Sequence, residues 1–260
     1  MTTATPRSPP AVARLALACL DLTSLNDKDT DADIVRLCER AQGVHGAVAA
    51  VCVWPRFAAL ARKHAPTAVA VAAVANFPAG GDDIQSAVRD TRAIVDAGAQ
   101  EVDVVLPYRR LQQGDERAVA ALLQAVRGAS DGLRLKVILE SGALDAALIT
   151  RASQLSLDAG ADFLKTSTGK IPAGASLQAA ELMLDAIAAN PLAATRAGFK
   201  ASGGIRTVAD AATYFDLVES KLGANALVPA RLRIGASSLL DDIEAVLAGN
   251  AASDSKTDGY

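Results

Sequence analysis

Eight short apolar runs constrain this 260-residue chain more than any single motif does, because each breaks into polar or glycine-containing residues before a helical, alanine-rich stretch. The runs are Leu15 to Leu20 closing on Asp21-Leu22-Thr23, Ala47 to Val53, Val69 to Ala75, Glu101 to Pro107, Leu133 to Glu140, the segment around Lys165, Gly198 to Ser202, and Leu227 to Ile234. A continuous apolar run of this length reads as a strand buried on both faces, and helices between such strands force them to lie parallel. Eight strand-helix pairs with no linker or break in composition predict one closed (β/α)8 barrel, the TIM barrel of the α/β class. The expected layout is a mobile segment over residues 1–12, the barrel over 13–249 and a flexible tail over 250–260.

Composition narrows the partners. Hydrophobic residues make up 51% of the chain and aromatic residues only 3%, so the core is expected to be built from Ala, Val, Leu and Ile. A net charge of -3 without a Lys/Arg block carries no footprint for nucleic acid. The apolar stretch after Pro10 is short and interrupted by Arg14, which argues against a membrane span or a signal peptide. Three cysteines, Cys19, Cys38 and Cys52, lack the spacing of a disulfide framework or thiolate metal site, so a reducing cytoplasm is expected.

In a barrel, functional groups gather where the strands end. Asp21, Asp103, Lys165 and Lys200 all come from predicted strands, and inward orientation would bring them into one cavity. Lys165 follows Phe163 and Leu164 and precedes Thr166-Ser167-Thr168-Gly169-Lys170. An ammonium in that setting loses hydration and must either be paired or become neutral, and a neutral lysine attacks carbonyls. The segment alone leaves both readings open, together with a lysine that simply points outward. Lowering an ordinary lysine from about 10.4 to about 7 costs on the order of 4.6 kcal/mol. A second ammonium at about 6 Å in an effective dielectric of about 20 supplies roughly 2.8 kcal/mol of that, and Lys200 on the next strand is the natural source, with desolvation left to supply the remainder. Asp103 then either moves protons or forms a structural ion pair with Lys200; spacing does not choose between the two.

The strand ends after Lys200 favour chemistry. Gly203-Gly204 and Gly235-Ala236-Ser237-Ser238 offer backbone N–H groups and hydroxyls beside helix N-termini, which suits a phosphate dianion. The Thr168-Gly169-Lys170 stretch is not a nucleotide P-loop, because Ile171 stands where that motif needs Ser or Thr. His45 and His64, the two histidines, flank helices and do not suggest a metal centre, and no cofactor is expected.

Taken together, Asp21-Leu22-Thr23-Ser24-Leu25-Asn26, Cys52 through Phe57, Asn76-Phe77-Pro78, Glu101 through Pro107, Phe163 through Lys170, Gly198 through Thr207 and Gly235 through Leu240 closely resemble the bacterial type of deoxyribose-phosphate aldolase. The resemblance implies a metal-free class I aldolase. Such an enzyme reversibly cleaves 2-deoxy-D-ribose 5-phosphate to acetaldehyde and D-glyceraldehyde 3-phosphate, in deoxyribonucleotide catabolism. It implies a Schiff base on Lys165, a perturbing lysine at Lys200, proton transfer by Asp103 and a supporting Asp21. It puts Lys170, Gly204, Arg206, Ser237 and Ser238 around the substrate phosphate, with Thr168, Gly203 and Gly235 as further binding candidates beside them, and brings Tyr260 into the site for proton transfer at the enamine carbon. The chain departs from the pattern at Ala201-Ser202 and at Pro229, both expected to alter the phosphate loops. The expected partners are a small phosphorylated sugar and a second copy of the chain as a homodimer, with neither nucleic acid nor membrane. A transaldolase-like enzyme and a phosphosugar-binding barrel without chemistry are the competing readings.

Overall fold

The computed structural model describes residues 7–249. Eight parallel strands close into a barrel: β1 (Leu20–Thr23), β2 (Ala50–Val53), β3 (Ala70–Ala75), β4 (Glu101–Val105), β5 (Arg134–Ile138), β6 (Phe163–Lys165), β7 (Gly198–Ser202) and β8 (Leu232–Ala236). Each strand pairs with the next in sequence, and β8 returns to β1. The predicted (β/α)8 class is therefore observed. The register places Lys165 beside Lys200 and Asp103 beside Lys136, so charged groups from neighbouring strands lie side by side.

The helices form the outer ring, and side-chain caps fix where several begin. Helix α1 (Pro9–Ala18) precedes the barrel; α2 (Asp31–Arg40) starts at a capping box of Thr30 with Asp33, α3 (Ala58–His64) follows β2, and α4 (Ile84–Asp96) is capped by Asp83. A one-turn helix α5 (Tyr108–Gln112) then leads to α6 (Glu116–Ala129), capped by Asp115. Asp145 caps α7 (Ala146–Asp158) and Ser176 caps α8 (Leu177–Ala189). The last two, α9 (Val208–Leu222) and α10 (Leu239–Leu247), rise from the ends of β7 and β8. These cap bonds satisfy N–H groups that the first helical turn leaves free.

Four features differ from the sequence reading. Leu15–Ala18 is the end of α1 and not the start of a strand. Pro9 and Pro10 pre-set its first turn, and its buried residues Val12, Ala13, Ala16 and Leu17 recur with helical period against α9 and α10. That helix begins inside the 1–12 segment expected to be mobile. The eighth strand starts at Leu232, because residues 224–231 form a 3-10 turn and a tight loop in which Arg231 and Leu232 both donate to the Val228 carbonyl. Pro229 thus sits before β8, at the end away from Ser237, and its carbonyl accepts from Arg233 Nε at 2.6 Å. It does not touch the phosphate loops, whereas Ser202 does line the cavity. A two-residue hairpin, Gln42–Gly43 with Gly46–Ala47, and α5 have no counterpart in the sequence reading.

The core is built mainly of Ala, Val, Leu and Ile between barrel and helices, with Phe199 and Phe215 fully enclosed. Among the described residues no helix is long and apolar enough to cross a membrane.

Candidate active site

Inside the barrel, the side chains of alternate strand residues form a dry layer of charge. Lys165 is 2% exposed, and Lys136, Lys200, Asp21 and Asp103 are fully enclosed. Asp103 is the hub. Its Oδ1 accepts from Lys136 at 2.7 Å, while its Oδ2 accepts from both Lys165 at 2.9 Å and Lys200 at 2.8 Å. Lys200 also donates to Asp21 Oδ2, and Asp21 Oδ1 accepts from Arg233 at 2.6 Å. Of the two readings left open for Asp103, the ion pair with Lys200 is present, and the same oxygen also accepts from Lys165.

Unequal partnering separates the lysines. Burial drives Lys165 below an ordinary lysine; the shared Asp103 oxygen opposes this, and the neighbouring Lys200 ammonium adds to it. Burial would lower Lys200 as well, but Asp103 and Asp21 outweigh it and hold that amine charged. Desolvation is therefore the leading cause for Lys165, where the sequence arithmetic gave the larger share to the second ammonium. Burial alone would raise Asp103, yet the ammonium groups of Lys136, Lys165 and Lys200 hold its carboxyl well below the usual range. Asp21 is lowered against burial by Lys200 and Arg233.

Above this layer lies a cavity of about 330 Å³ between the ends of β1, β6, β7 and β8. Its lining includes Thr168, Lys170, Gly203, Gly204, Arg206, Gly235, Ser237 and Ser238, all eight binding candidates. Their settings differ. Gly203 and Gly204 have φ of 93° and 88°, a backbone that favours glycine, and any Cβ on Gly203 would press on Gly174 at 3.1 Å. Gly235 lies within β8, where a Cβ would fall 2.2 Å from Ser202 Oγ and 3.0 Å from Lys200 Cε; its missing side chain makes room for the Lys200 stem. Thr168 is tied to the buried Glu140, which accepts from its N–H at 3.2 Å and from its hydroxyl. Lys170 reaches across the mouth to the Leu25 carbonyl at 2.6 Å and lies over the Trp54 ring.

Two helix N-termini face this mouth, and among the described residues only that of α10 lacks a side-chain cap. On α9, Thr207 and Asp210 form a capping box, Asp210 also accepts from the Arg206 N–H at 3.0 Å, and Asp242 takes the Val208 N–H. Ser238 precedes α10 with no side-chain cap bond, and both Ser237 and Ser238 are exposed. The N–H groups at the start of α10 are therefore left without the side-chain caps that close α9.

Sequence reasoning missed Lys136, Glu101, Arg233 and Glu140. Lys136 sits in the middle of the fifth apolar run and carries the same signal as Lys165. Glu101 and Arg233 stand near the bottom of their strands, where the rule for strand ends does not look. Tyr260 lies outside the described residues. Cys52 faces the barrel interior 4.0 Å from Asp103, and burial raises its thiol. All three cysteines are free and buried. His45 occupies the hairpin turn and His64 is exposed at the end of α3.

The fold and the site together define a barrel enzyme of the aldolase class, with its amine cluster under the strand ends. The chain belongs to the DeoC/LacD family of aldolases, whose family model matches residues 15–245. It is 46% identical over 245 residues to the deoxyribose-phosphate aldolase of Agrobacterium fabrum, covering 93% of each chain. Among solved structures it resembles a protein from Coccidioides immitis described as a candidate deoxyribose-phosphate aldolase, with a TM-score of 0.81, 31% identity and coverage of 92% of this chain and 88% of that one. It also resembles the tetrameric deoxyribose phosphate aldolase of Aeropyrum pernix, with a TM-score of 0.69, 27% identity and 92% of each chain covered.

Proposed function

We propose that this enzyme cleaves 2-deoxy-D-ribose 5-phosphate reversibly to acetaldehyde and D-glyceraldehyde 3-phosphate, in deoxyribonucleotide catabolism, with Lys165 as the Schiff-base amine. One observation carries the assignment. Lys165 is the buried lysine with a single carboxylate contact, shared with a neighbour that is held charged, so it is the amine most readily neutral.

The neutral Nζ attacks the substrate C1 carbonyl, the carbinolamine takes up a proton and water leaves, forming the protonated imine. Its positive nitrogen then draws the electrons of the C2–C3 bond as that bond breaks, while the C3 hydroxyl gives up its proton. D-Glyceraldehyde 3-phosphate departs, the enamine takes a proton at C2, and hydrolysis frees acetaldehyde. Asp103 Oδ2 accepts from both Lys165 and Lys200, which supports its role in moving protons among the three groups. Asp21 keeps Lys200 charged. Ser237, Ser238 and the backbone at Gly203 and Gly204 receive the phosphate at the open α10 terminus, with Arg206, Thr168, Gly235 and Lys170 around it. Tyr260 supplies the proton to C2, a role proposed from resemblance alone. For assembly we propose a homodimer, to be tested by light scattering. The free buried cysteines fit a reducing cytoplasm.

Borohydride reduction in the presence of acetaldehyde, followed by peptide mapping, tests the assignment. An ethyl group on Lys165 is expected. An adduct on Lys200 would reverse the roles of the two lysines, and no adduct on any lysine would leave a sugar-phosphate binder without this chemistry.

A further inference from the structure

Below the layer that holds Lys165, the barrel contains a second set of buried charges that the proposed chemistry does not touch. Glu101 Oε1 accepts from Arg233 Nη2 at 2.7 Å, and its Oε2 faces Lys136 and accepts from Arg233 Nη1 at 3.1 Å. Arg233 is 3% exposed and Glu101 is 1% exposed. The two sets are joined at both ends: Arg233 reaches Asp21, the partner of Lys200, and Lys136 reaches Asp103, the partner of Lys165. Arg134, half-exposed at the edge of the barrel, donates to Glu101 at 2.7 Å, where solvent screens it.

Among the described residues the buried cations, Lys136, Lys165, Lys200 and Arg233, number four, whereas the carboxylates ion-paired to them inside the barrel, Asp21, Glu101 and Asp103, number three; the fourth buried carboxylate, Glu140, pairs with none of them. Every strand bears on the count. β1 supplies Asp21, β2 the raised and neutral Cys52, β3 only Ala and Val, β4 Glu101 and Asp103, β5 Lys136, β6 Lys165, β7 Lys200 and β8 Arg233. At the mouth, Glu140 is turned to Thr168 and Lys170 to Leu25. A dry cluster resists net charge, so one of its four cations is pressed to lose a proton. Arg233 does not titrate in a protein, and it occupies Asp21 and Glu101 from below. Lys136 faces all three carboxylates and Lys200 faces two, which leaves Lys165 with half of one oxygen's attention.

We propose that the Glu101–Arg233 pair is a positioning element of the site: by fixing the count of buried charge and drawing Asp21 and Glu101 downward, it makes Lys165 the amine that the cluster leaves neutral. The proposal rests on Lys165 being the imine-forming residue. Removing Arg233 equalises the count and lets Lys165 keep its proton; removing the Glu101 charge deepens the shortfall and drives Lys165 further toward the neutral amine.

The test uses the full-length protein with acetaldehyde and borohydride, following the initial rate of ethyl transfer to Lys165 by mass spectrometry as a function of pH. The free amine forms the C–N bond, water leaves, and hydride reduces the C=N bond, so the midpoint of the rate reports loss of the ammonium proton. Arg233→Met is expected to move that midpoint up by about one pH unit, the effect of one charge roughly 10 Å away at an effective dielectric of about 20. Glu101→Gln is expected to move it down by about the same amount. The double variant restores the original difference between cations and carboxylates and should return the midpoint close to wild type, and Arg233→Lys should leave it in place. A general folding defect lowers the amount of adduct but does not move midpoints in opposite directions. If Arg233→Met does not fold, Glu101→Gln and Arg233→Lys decide the matter. Midpoints that stay fixed, or that shift the same way in both single variants, would overturn the proposal while leaving Lys165 as the imine-forming lysine. A wild-type adduct on a different lysine would instead overturn that assignment, and the proposal with it.

Discussion

The floor of this cavity and its mouth use polar groups in opposite ways. On the floor, Asp21, Asp103, Lys136 and Lys200 have no exposure, and each holds two or more charged partners. At the mouth, Ser237 and Ser238 are exposed, and the helix they precede has no side-chain cap. Floor chemistry is therefore set by desolvation and by how three carboxylates are shared among too many cations. Mouth chemistry is set by which donors the protein leaves unclaimed for a ligand. A group is reactive on the floor because it is short of partners, and receptive at the mouth for the same reason.

The largest expected effect removes the amine. Lys165→Met should abolish the ethyl adduct and lower cleavage on the order of 10⁴-fold or more, the scale seen when a covalent nucleophile is lost. The same substitution should stabilise the fold. Lys165 has a folded value below its unfolded one, so between that lowered value and about 10.4 the folded state binds fewer protons than the unfolded state, and stability falls as pH drops through that window. Methionine removes this penalty while Asp103 keeps Lys136 and Lys200. A melting temperature higher by about 2–6 °C near neutral pH is expected by calorimetry. An unchanged or lower one would mean that Lys165 sits on the floor at no cost.

Lys200→Leu comes next. The two ammonium groups lie 2.9 and 2.8 Å from one oxygen, so they stand within about 6 Å of each other. Without Lys200, Asp103 Oδ2 serves Lys165 alone, and Lys165 should rise by roughly two units. Activity at pH 7 is expected to fall by about 10²-fold and to recover toward pH 9. A loss equal at all pH values would assign Lys200 to something other than tuning the amine.

The barrel was legible because its signal is repeated: eight apolar runs reinforce one another, and a misplaced first strand does not alter the count. Leu15–Ala18 misled because a run of Leu and Ala satisfies a buried helix as well as a buried strand; the two prolines ahead of it were the better guide. The catalytic candidates were legible where a charged residue interrupts an apolar run, at the strand's end for Lys165 and in its middle for Lys200. Glu101 and Arg233 carry the same interruption at the other end, and only the register across β8, β1 and β4 shows that they meet Asp21 and Lys136. Which carboxylate oxygens the three lysines share depends on side-chain positions across several strands, which no spacing in the chain encodes.

A charge placed at the mouth should act on the phosphate alone. Ser238→Asp puts a carboxylate at the start of α10, where the substrate dianion is proposed to bind. KM for 2-deoxy-D-ribose 5-phosphate is expected to rise about 10- to 100-fold while kcat/KM for unphosphorylated deoxyribose stays within about 3-fold. Equal losses on both substrates would mean that the floor feels the new charge, and that the two regions are not separable.

The smallest effect distinguishes the two helix ends. Thr207 and Ser238 occupy equivalent positions before α9 and α10, yet Thr207 accepts the Asp210 N–H at 3.0 Å and Ser238 caps nothing. Thr207→Ala should therefore cost about 1 kcal/mol of stability. Its effect on phosphate affinity should be less than about twofold, since the α9 donors are already held by Asp210 and Asp242. Ser238→Ala should do the reverse: it leaves the denaturation midpoint nearly unchanged, because no cap bond is lost. It weakens inorganic phosphate binding by about 3- to 10-fold, the worth of one hydrogen bond. Chemical denaturation and phosphate titration by calorimetry on the two variants read both quantities. If Thr207→Ala weakened phosphate as much as Ser238→Ala did, the anion would be bridging both helices, and the α9 cap would have to open to receive it.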